Sequence, residues 1–195
     1  MRRNLITSIL YTVVTGLLLG IAYPLAMTGL AHAFFRDKAD GQLIVKDGNV
    51  IGSRIIGQEF SGAQYFHGRP SAAGANGYDA TSSSGSNYGP TNKKYVDAVD
   101  GDAAALQPEN PGVPVPVDLI TRSGSGLDPD ITPAAAYFQA ARIAKARNLP
   151  KDAVDKLIAK HTTPRQFGLL GEPRVNVLEL NLNLDQTTGG VAALQ

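Results

Sequence analysis

Residues 1–35 are almost entirely apolar, and their apolar side chains do not keep to one face. After Arg2 and Arg3, no Lys, Arg, Asp or Glu occurs until Arg36. With a rise of ~1.5 Å per residue, a helix from Leu5 to Leu30 is long enough to cross a hydrocarbon layer of ~30 Å. We therefore predict one membrane-spanning helix here, kinked or ended by a proline. Its predicted transmembrane positions include Leu5, Leu10, Val14, Leu18, Ile21 and Pro24.

Residues 36–195 instead alternate short apolar and polar segments, which is typical of a soluble α+β domain. Two apolar runs that flank Asp47-Gly48 predict a β-hairpin within residues 42–56. The alternation in residues 174–185 predicts a strand, with a bulge where the pattern slips after Val177. These segments predict a mostly antiparallel sheet.

Helical spacing predicts three helices in the same domain. The first is capped by Thr91 or Asn92 and stops before Pro108. The second begins at Thr132-Pro133, with threonine as the cap and proline in the first turn, and the third follows Pro150. Between the first two, residues 117–120 are predicted to form a short strand.

The charges around the span predict its orientation. Arg2 and Arg3 precede the span, whereas the basic residues just after it are offset by acidic neighbours. This asymmetry favours a cytoplasmic N-terminus and a periplasmic domain. The alternative is a secretory signal cleaved at Ala31-His32-Ala33, which would release a free periplasmic enzyme. A signal usually has only ~7–15 apolar residues, so this longer apolar stretch favours a retained anchor.

Composition and motifs argue against several functional classes. Without Arg2 and Arg3, 16 of the 18 Lys and Arg remain against 17 Asp and Glu, so no nucleic-acid partner is expected. The absence of cysteine excludes disulfides and thiolate–metal sites. The three histidines are scattered, so no metal site is predicted. No Walker A, complete GxGxxG, HExxH or nucleophile-elbow motif occurs, so we predict no catalytic residues and no cofactor of the chain's own.

Two loops rich in Gly and Ser each precede a predicted helix. They are residues 82–92, SSSGSNYGPTN, and residues 121–130, TRSGSGLDPD. Such loops can pack closely against a partner or present oxygens near a cation path, and the helix N–H groups behind them attract anions. The candidate partner-interface residues are Asn87, Gly89, Pro90, Asn92, Ser123, Gly124, Ser125, Gly126 and Asp128.

Five segments, in order over nearly the whole chain, point to one family. They are HGRPSAA (67–73), GSNYGPTN (85–92), VPVDLITRSGSGLDPDITPAAA (115–136), ARIAKARNL (141–149) and GEPRVNVLELNLNLD (171–185). Together with the single N-terminal span, they resemble the C subunit of the Kdp-type potassium-transporting P-type ATPase, the KdpC family. The segment 115–136 is the most distinctive of them.

The resemblance implies a non-catalytic accessory subunit of a high-affinity, ATP-driven potassium uptake complex. In that family the complex lies in the bacterial inner membrane and needs this subunit for assembly and activity. The implied partners are a channel-like potassium-binding subunit, a P-type ATP-hydrolysing subunit and a small F peptide, besides membrane lipid. We favour the hypothesis that the exported domain docks on the outer face of the channel-like subunit.

A second hypothesis implied by the resemblance is a catalytic chaperone, which raises the ATP affinity of the ATP-hydrolysing subunit through a shared nucleotide site. It rests on a likeness between residues 83–87 and the LSGGQ signature of ATP-binding cassette proteins. The candidate nucleotide-binding residues are Ser84, Gly85, Ser86 and Asn87. The family usually has two adjacent glycines here, and Ser84 replaces the first, which weakens the likeness. This hypothesis requires the loops to lie on the cytoplasmic side, where ATP is.

Overall fold

The computed structural model describes residues 1–187, so residues 188–195 of the predicted domain lie outside the described residues. The chain falls into two compact units, Met1–Ile51 and the unit that begins at Gly52, and each is described by itself. The division into an anchor and a domain between residues 35 and 36 stays a prediction.

The first unit begins with one long helix made of three consecutive segments. They are α1 (Arg2–Leu17), a π-helical segment (Leu18–Ala22) and α2 (Tyr23–Phe34). None of these segments has a buried residue. By length and composition, this helix of 33 residues could cross a membrane, which agrees with the predicted apolar helix. All six predicted transmembrane positions lie in it.

Pro24 does not end this helix. Proline has no N–H for the helical hydrogen bond, and its ring crowds the carbonyl group four residues earlier. The π-helical segment Leu18–Ala22 lies directly before Tyr23 and Pro24, where a wider turn accommodates the missing bond. Regular α-helical geometry is therefore interrupted beside Pro24, as predicted, but the helix continues to Phe34.

A short helix and a hairpin follow. The helix α3 is Arg36–Ala39, and the hairpin strands are β1 (Leu43–Lys46) and β2 (Asn49–Ser53). Asp47 (φ 52°) and Gly48 (φ 80°) both have left-handed backbone conformations, which a two-residue type I′ turn requires. The predicted hairpin is thus confirmed.

Three helices and a small sheet enclose the core of the second unit. The helices are α5 (Pro133–Arg147), α6 (Lys151–His161) and α7 (Val177–Thr187). The strands β3 (Asp130–Ile131), β4 (Thr162–Thr163) and β5 (Arg174–Asn176) form an antiparallel sheet with β5 in the middle. The largest fully buried side chains include Phe66, Ile143, Ile158, Leu180 and Leu184. The α+β class is confirmed, with antiparallel strands in two small sheets rather than one.

Two helices of this unit are capped at the predicted residues. Thr132 Oγ1 accepts a hydrogen bond from the Ala135 N–H at 3.1 Å at the start of α5. Asn92 Oδ1 accepts one from a first-turn N–H at 2.9 Å at the start of α4 (Lys93–Leu106). Each cap satisfies an N–H group that has no partner within its helix. As predicted, α4 ends before Pro108.

The strand predicted in residues 174–185 is wrong beyond its first three residues. β5 ends at Asn176, whose Oδ1 accepts from the Glu179 N–H at 3.0 Å and so caps α7. The buried residues of α7 fit helical spacing as well as alternation, so the apolar pattern alone was ambiguous. The slip after Val177 marks the change from strand to helix and not a bulge. The Asn-x-x-Glu capping pattern at 176–179 was the missed signal.

The short strand predicted in residues 117–120 is also wrong. Val117–Leu119 forms a 3₁₀ turn directly after Pro116, which has no N–H for a sheet hydrogen bond. Asp118 is buried in this turn, and its carboxylate accepts hydrogen bonds from Thr132 N–H at 2.7 Å and Thr132 Oγ1 at 3.2 Å. The turn therefore anchors the cap residue of α5.

Candidate functional site

Two buried amide side chains hold the extended segment that leads into the loops. Asn181, from α7, accepts from Phe66 N–H at 2.8 Å and donates to Phe66 O at 3.0 Å. Gln139, from α5, makes the same pair of hydrogen bonds with His67, at 2.8 Å and 3.1 Å. Together the two amides replace a neighbouring strand, and they fix where the loop of residues 67–79 begins.

Arg69 ties the loop 67–79 to the Gly/Ser-rich loop that precedes α5. Its Nη1 donates to Asp128 Oδ2 at 3.1 Å, and its Nη2 donates to Thr121 O at 3.3 Å. The Tyr78 hydroxyl donates to Arg69 O at 2.6 Å. Burial, followed by the carboxylates of Glu59 and Asp128, raises the pKa of Tyr78 to about 12. The Tyr78 hydroxyl therefore stays protonated and keeps its role as a donor.

The two loops singled out from the sequence lie against each other. Ser83 Oγ donates to Ser125 O at 2.9 Å. Gly85 approaches the second loop so closely that a methyl group added to it would lie 2.9 Å from Gly124 O. The small residues are thus needed because backbone packs against backbone. We call these joined segments, residues 82–92 and 121–128, the double loop.

Gly126 is the tightest point of the double loop. Its φ of 68° lies in the left-handed region, and an added methyl group would lie 2.5 Å from Ser84 O. Its carbonyl accepts a hydrogen bond from Ser71 Oγ at 2.5 Å, which joins the loop 67–79 to the double loop. Glycine is therefore required at this position by both conformation and space.

The candidate partner-interface residues divide into an exposed and a structural group. The exposed group is Asn87, Gly89, Pro90, Asn92, Gly124 and Ser125. Ser123 and Gly126 are buried, and Asp128 is half-buried and paired with Arg69. The first group is therefore open to direct contact with a partner. Tyr88, 45% exposed, belongs with it and was not singled out, although an aromatic residue in a glycine-rich loop is typical of a contact surface.

The four candidate nucleotide-binding residues are also divided. Ser84 Oγ donates to Ala72 O at 2.9 Å, and Gly85 faces the carbonyl group of Gly124. Carbonyl oxygens carry partial negative charge, so this side of the loop does not attract phosphate. Ser86 is half-buried and Asn87 is exposed, with a left-handed φ of 55°. Ser84 and Gly85 are therefore packed against the rest of the fold, and of the four residues Asn87 is the one that is exposed.

No metal centre is apparent in the part of the chain that the structure describes, where no group of three or more His, Cys, Asp or Glu could hold an ion. Among the histidines, His67 has its Nε2 3.0 Å from Gly62 O. Burial, followed by the charge of Arg142, lowers the pKa of His67 below its ordinary value of 6.5. Its ring is thus neutral and bonded within the fold.

A cleft of about 300 Å³ lies apart from the double loop. Its walls include the apolar side chains of Phe60, Leu106 and Leu119 and the charged side chains of Arg69 and Asp102. None of the candidate partner-interface or nucleotide-binding residues lines it. The cleft and the double loop are therefore separate features, although Arg69 contacts both.

Comparison with known proteins identifies the family. Residues 5–186 match the family model described as KdpC: K+-transporting ATPase, c chain. The chain belongs to the KdpC family. The match covers the apolar helix, the double loop and α7 almost to its end, so the family resemblance found in the sequence is confirmed over nearly the whole chain.

Individual relatives agree with this assignment, and each is named as a potassium-transporting ATPase KdpC subunit. The relative from Koribacter versatilis is 63% identical over 187 residues, which cover 96% of this chain and 96% of the relative. The relative from Acidobacterium capsulatum is 64% identical over 183 residues, covering 94% and 98%. The relative from Methylobacterium nodulans is 52% identical over 200 residues, covering 97% and 100%.

Proposed function

We propose that the chain is a non-catalytic accessory subunit of a high-affinity, ATP-driven potassium uptake complex in the bacterial inner membrane. It assembles there with a channel-like potassium-binding subunit, a P-type ATP-hydrolysing subunit and a small F peptide, and the complex needs it for assembly and activity. Membership of the KdpC family and the apolar N-terminal helix support this proposal.

The properties of the double loop support the proposal that the domain docks on the outer face of the channel-like subunit. Its exposed residues 87–90, Gly124 and Ser125 have no formal charge. Docking of such a surface leaves no charge buried without a partner. The packing at Gly85 and Gly126 also holds the surface in one shape before binding, which lowers the entropic cost of association.

The charges at the N-terminus support the orientation. Arg2 and Arg3 precede the span, and basic residues at a span's end favour the cytoplasmic side. The N-terminus then lies in the cytoplasm, the helix contacts lipid, and the double loop lies in the periplasm. In this orientation the double loop meets the outer surface of the partner and not the site of ATP hydrolysis.

Glycine-to-glutamate variants test the docking surface. Gly89 and Gly124 are exposed, have no neighbouring atom within 4 Å of an added methyl group, and lack a left-handed φ. A glutamate at either position therefore leaves the fold intact but brings a charge to the proposed interface. We expect Gly89→Glu and Gly124→Glu to reduce co-purification with the other subunits by about tenfold or more.

Gly101→Glu is the matched control, because Gly101 is also exposed and open around its Cα but lies in the middle of α4. We expect this variant to co-purify like the wild type. If all three variants co-purified equally well with the other subunits, the double loop would not be part of the interface. Failure of the wild-type chain itself to co-purify with the other subunits would overturn the accessory-subunit proposal.

A second candidate is the catalytic chaperone that binds ATP together with the ATP-hydrolysing subunit. The exposed N-terminus of α4 favours it, since N–H groups there attract anions and Ser86 and Asn87 lie shortly before it. However, Asn92 already caps one of these N–H groups, and Lys93 Nζ is bonded to Asp97 at 2.7 Å. Photo-crosslinking of an ATP analogue to this chain in the assembled complex tests this candidate, and the absence of a crosslink would count against it.

A further inference from the structure

A second hairpin projects from the small sheet, between β4 and β5. Its strands pair Thr162 with Val175 and Thr163 with Arg174. Beyond them, a bridge between Gln166 and Leu170 closes the hairpin around a short turn. We call residues 167–170 the hairpin tip.

The hairpin tip is apolar and largely exposed to solvent. Phe167 is 86% exposed, Leu169 is 80% exposed and Leu170 is 60% exposed. Among the described residues of the second unit, no other large apolar side chain is exposed to more than 66%. Single exposed apolar residues are ordinary, but three of them at the end of one projection mark an interaction site.

Hydrogen bonds fix the shape of the hairpin tip. Gln166 N–H donates to Leu170 O at 2.9 Å, Leu170 N–H donates to Gln166 O at 2.9 Å, and Gly168 N–H donates to Arg165 O at 3.1 Å. Phe167 has a left-handed φ of 54°, which is unfavourable for a bulky side chain. Phe167 is thus strained and buries little of its ring in its own fold, so the stability of that fold does not explain its position.

The charges beside the hairpin tip are already paired with each other. Arg165 Nη2 forms an ion pair with Glu172 at 2.5 Å across the hairpin. The tip therefore presents an apolar surface with a neutral rim, which complements an uncharged surface. A lipid headgroup region would instead favour unpaired basic residues beside the apolar side chains.

We propose that the hairpin tip is a docking element that inserts Phe167 and Leu169 into an apolar hollow on another protein subunit of the same complex. A rigid tip suits a shaped protein hollow, because little conformational entropy is lost on binding, whereas fluid lipid does not require a fixed shape. Aromatic anchors that fill such hollows commonly dominate the binding energy of an interface. This inference rests on the proposed function, which supplies the partner subunits.

A single cysteine tests this inference, because the chain has none. Leu169→Cys is reacted with a maleimide in the chain alone in detergent, the chain alone in lipid vesicles, and the assembled complex in detergent. We expect rapid labelling in the first two samples and labelling slowed by about tenfold or more in the complex. Gly101→Cys on α4 is the control and should react equally in all three.

Each other outcome overturns the inference. Equal labelling of Leu169→Cys in all three samples would leave the hairpin tip unoccupied. Protection of the chain alone in vesicles would assign the tip to lipid, and protection of the chain alone in detergent would assign it to a second copy. These results are distinct from a failure of the proposed function, in which the wild-type chain would not enter the complex at all.

A second variant separates docking from folding. Phe167→Gly removes the aromatic side chain and relieves the left-handed strain, so the thermal midpoint of unfolding should not fall. We nevertheless expect retention in the complex to drop by about tenfold. Retention at the wild-type level, with an unchanged midpoint, would contradict the docking role of Phe167.

Discussion

Asn181 gives Phe66 both hydrogen bonds that a neighbouring β-strand would give, at 2.8 Å and 3.0 Å. Phe66 is completely buried and lies in no strand, so water cannot replace these bonds. The pair connects α7 to the start of the loop 67–79, which is bonded in turn to the double loop through Arg69 and Ser71. The shape of the candidate docking surface therefore depends on a residue in the last described helix.

Asn181→Ala is expected to lower the free energy of unfolding by about 2–4 kcal/mol, because it leaves the N–H and carbonyl groups of Phe66 buried without partners. The measurement is a urea titration of the full chain in detergent, followed by circular dichroism. Asn183→Ala is the control, since the Asn183 side chain is half-buried and donates to Glu179 O within the same helix. Equal losses in the two variants would contradict the role assigned to Asn181.

Alanine variants at Gly126 and Gly124 together test how tightly the double loop is packed. Gly126→Ala is expected to cost about 2–4 kcal/mol, because the alanine would need a left-handed φ and would clash with Ser84 O. Gly124→Ala meets no atom within 4 Å and should change stability by less than about 0.5 kcal/mol. The same titration measures both variants, and a mild effect of Gly126→Ala would disprove the close contact.

His67 should make stability depend on pH. Burial lowers its pKa in the folded state below 6.5, so the unfolded state binds the proton first as the pH falls. The contribution of the neutral His67 ring to the free energy of unfolding is complete above the pKa that His67 has in the unfolded state. It is lost as the pH falls through the pKa that His67 has in the folded state. Unfolding free energies at about pH 7.5 and about pH 5 should therefore differ more in the wild type than in His67→Gln.

Comparing the wild type with His67→Gln cancels the contributions that other titrating groups make to the pH dependence of stability. Asp130 acts in the opposite sense at lower pH, since burial raises the pKa of its carboxyl group above 3.8, and it is present in both proteins. His161→Gln serves as the control and should retain the dependence that His67 produces. An identical loss of stability in the wild type and His67→Gln would contradict the assigned state of His67.

The sequence was informative wherever one local signal determined the structure. The hairpin around Asp47-Gly48 and the cap at Thr132 depend only on neighbouring residues, and both were predicted correctly. For the helix α4 the sequence left Thr91 and Asn92 open as caps, and the structure has Asn92. Residues 177–185 were mistaken for a strand because their apolar positions fit the spacing of a helix as well as the alternation of a strand. The capping pattern that begins at Asn176 is the signal that distinguishes the helix from the strand.

Long-range contacts could not be predicted in the same way. The sequence identified both parts of the double loop as candidate surfaces. It did not show that Ser83 bonds to Ser125, or that Ser123 and Gly126 are the buried members of the double loop. Nor did it single out the hairpin tip, because the exposure of Phe167 depends on the fold and not on its neighbours in sequence. The division of the candidate interface residues into exposed and structural ones therefore follows only from the three-dimensional structure.

The central proposal is that the double loop lies in the periplasm and docks on another subunit. It is tested most directly by labelling Ser125→Cys with a membrane-impermeant maleimide in intact spheroplasts. We expect rapid labelling from outside when the chain is expressed alone, because Ser125 is exposed and the proposed orientation places the domain in the periplasm. We expect strong protection when the other subunits are co-expressed, because the proposed docking would then cover the double loop. Labelling only after lysis, or equal labelling with and without the other subunits, would contradict the account.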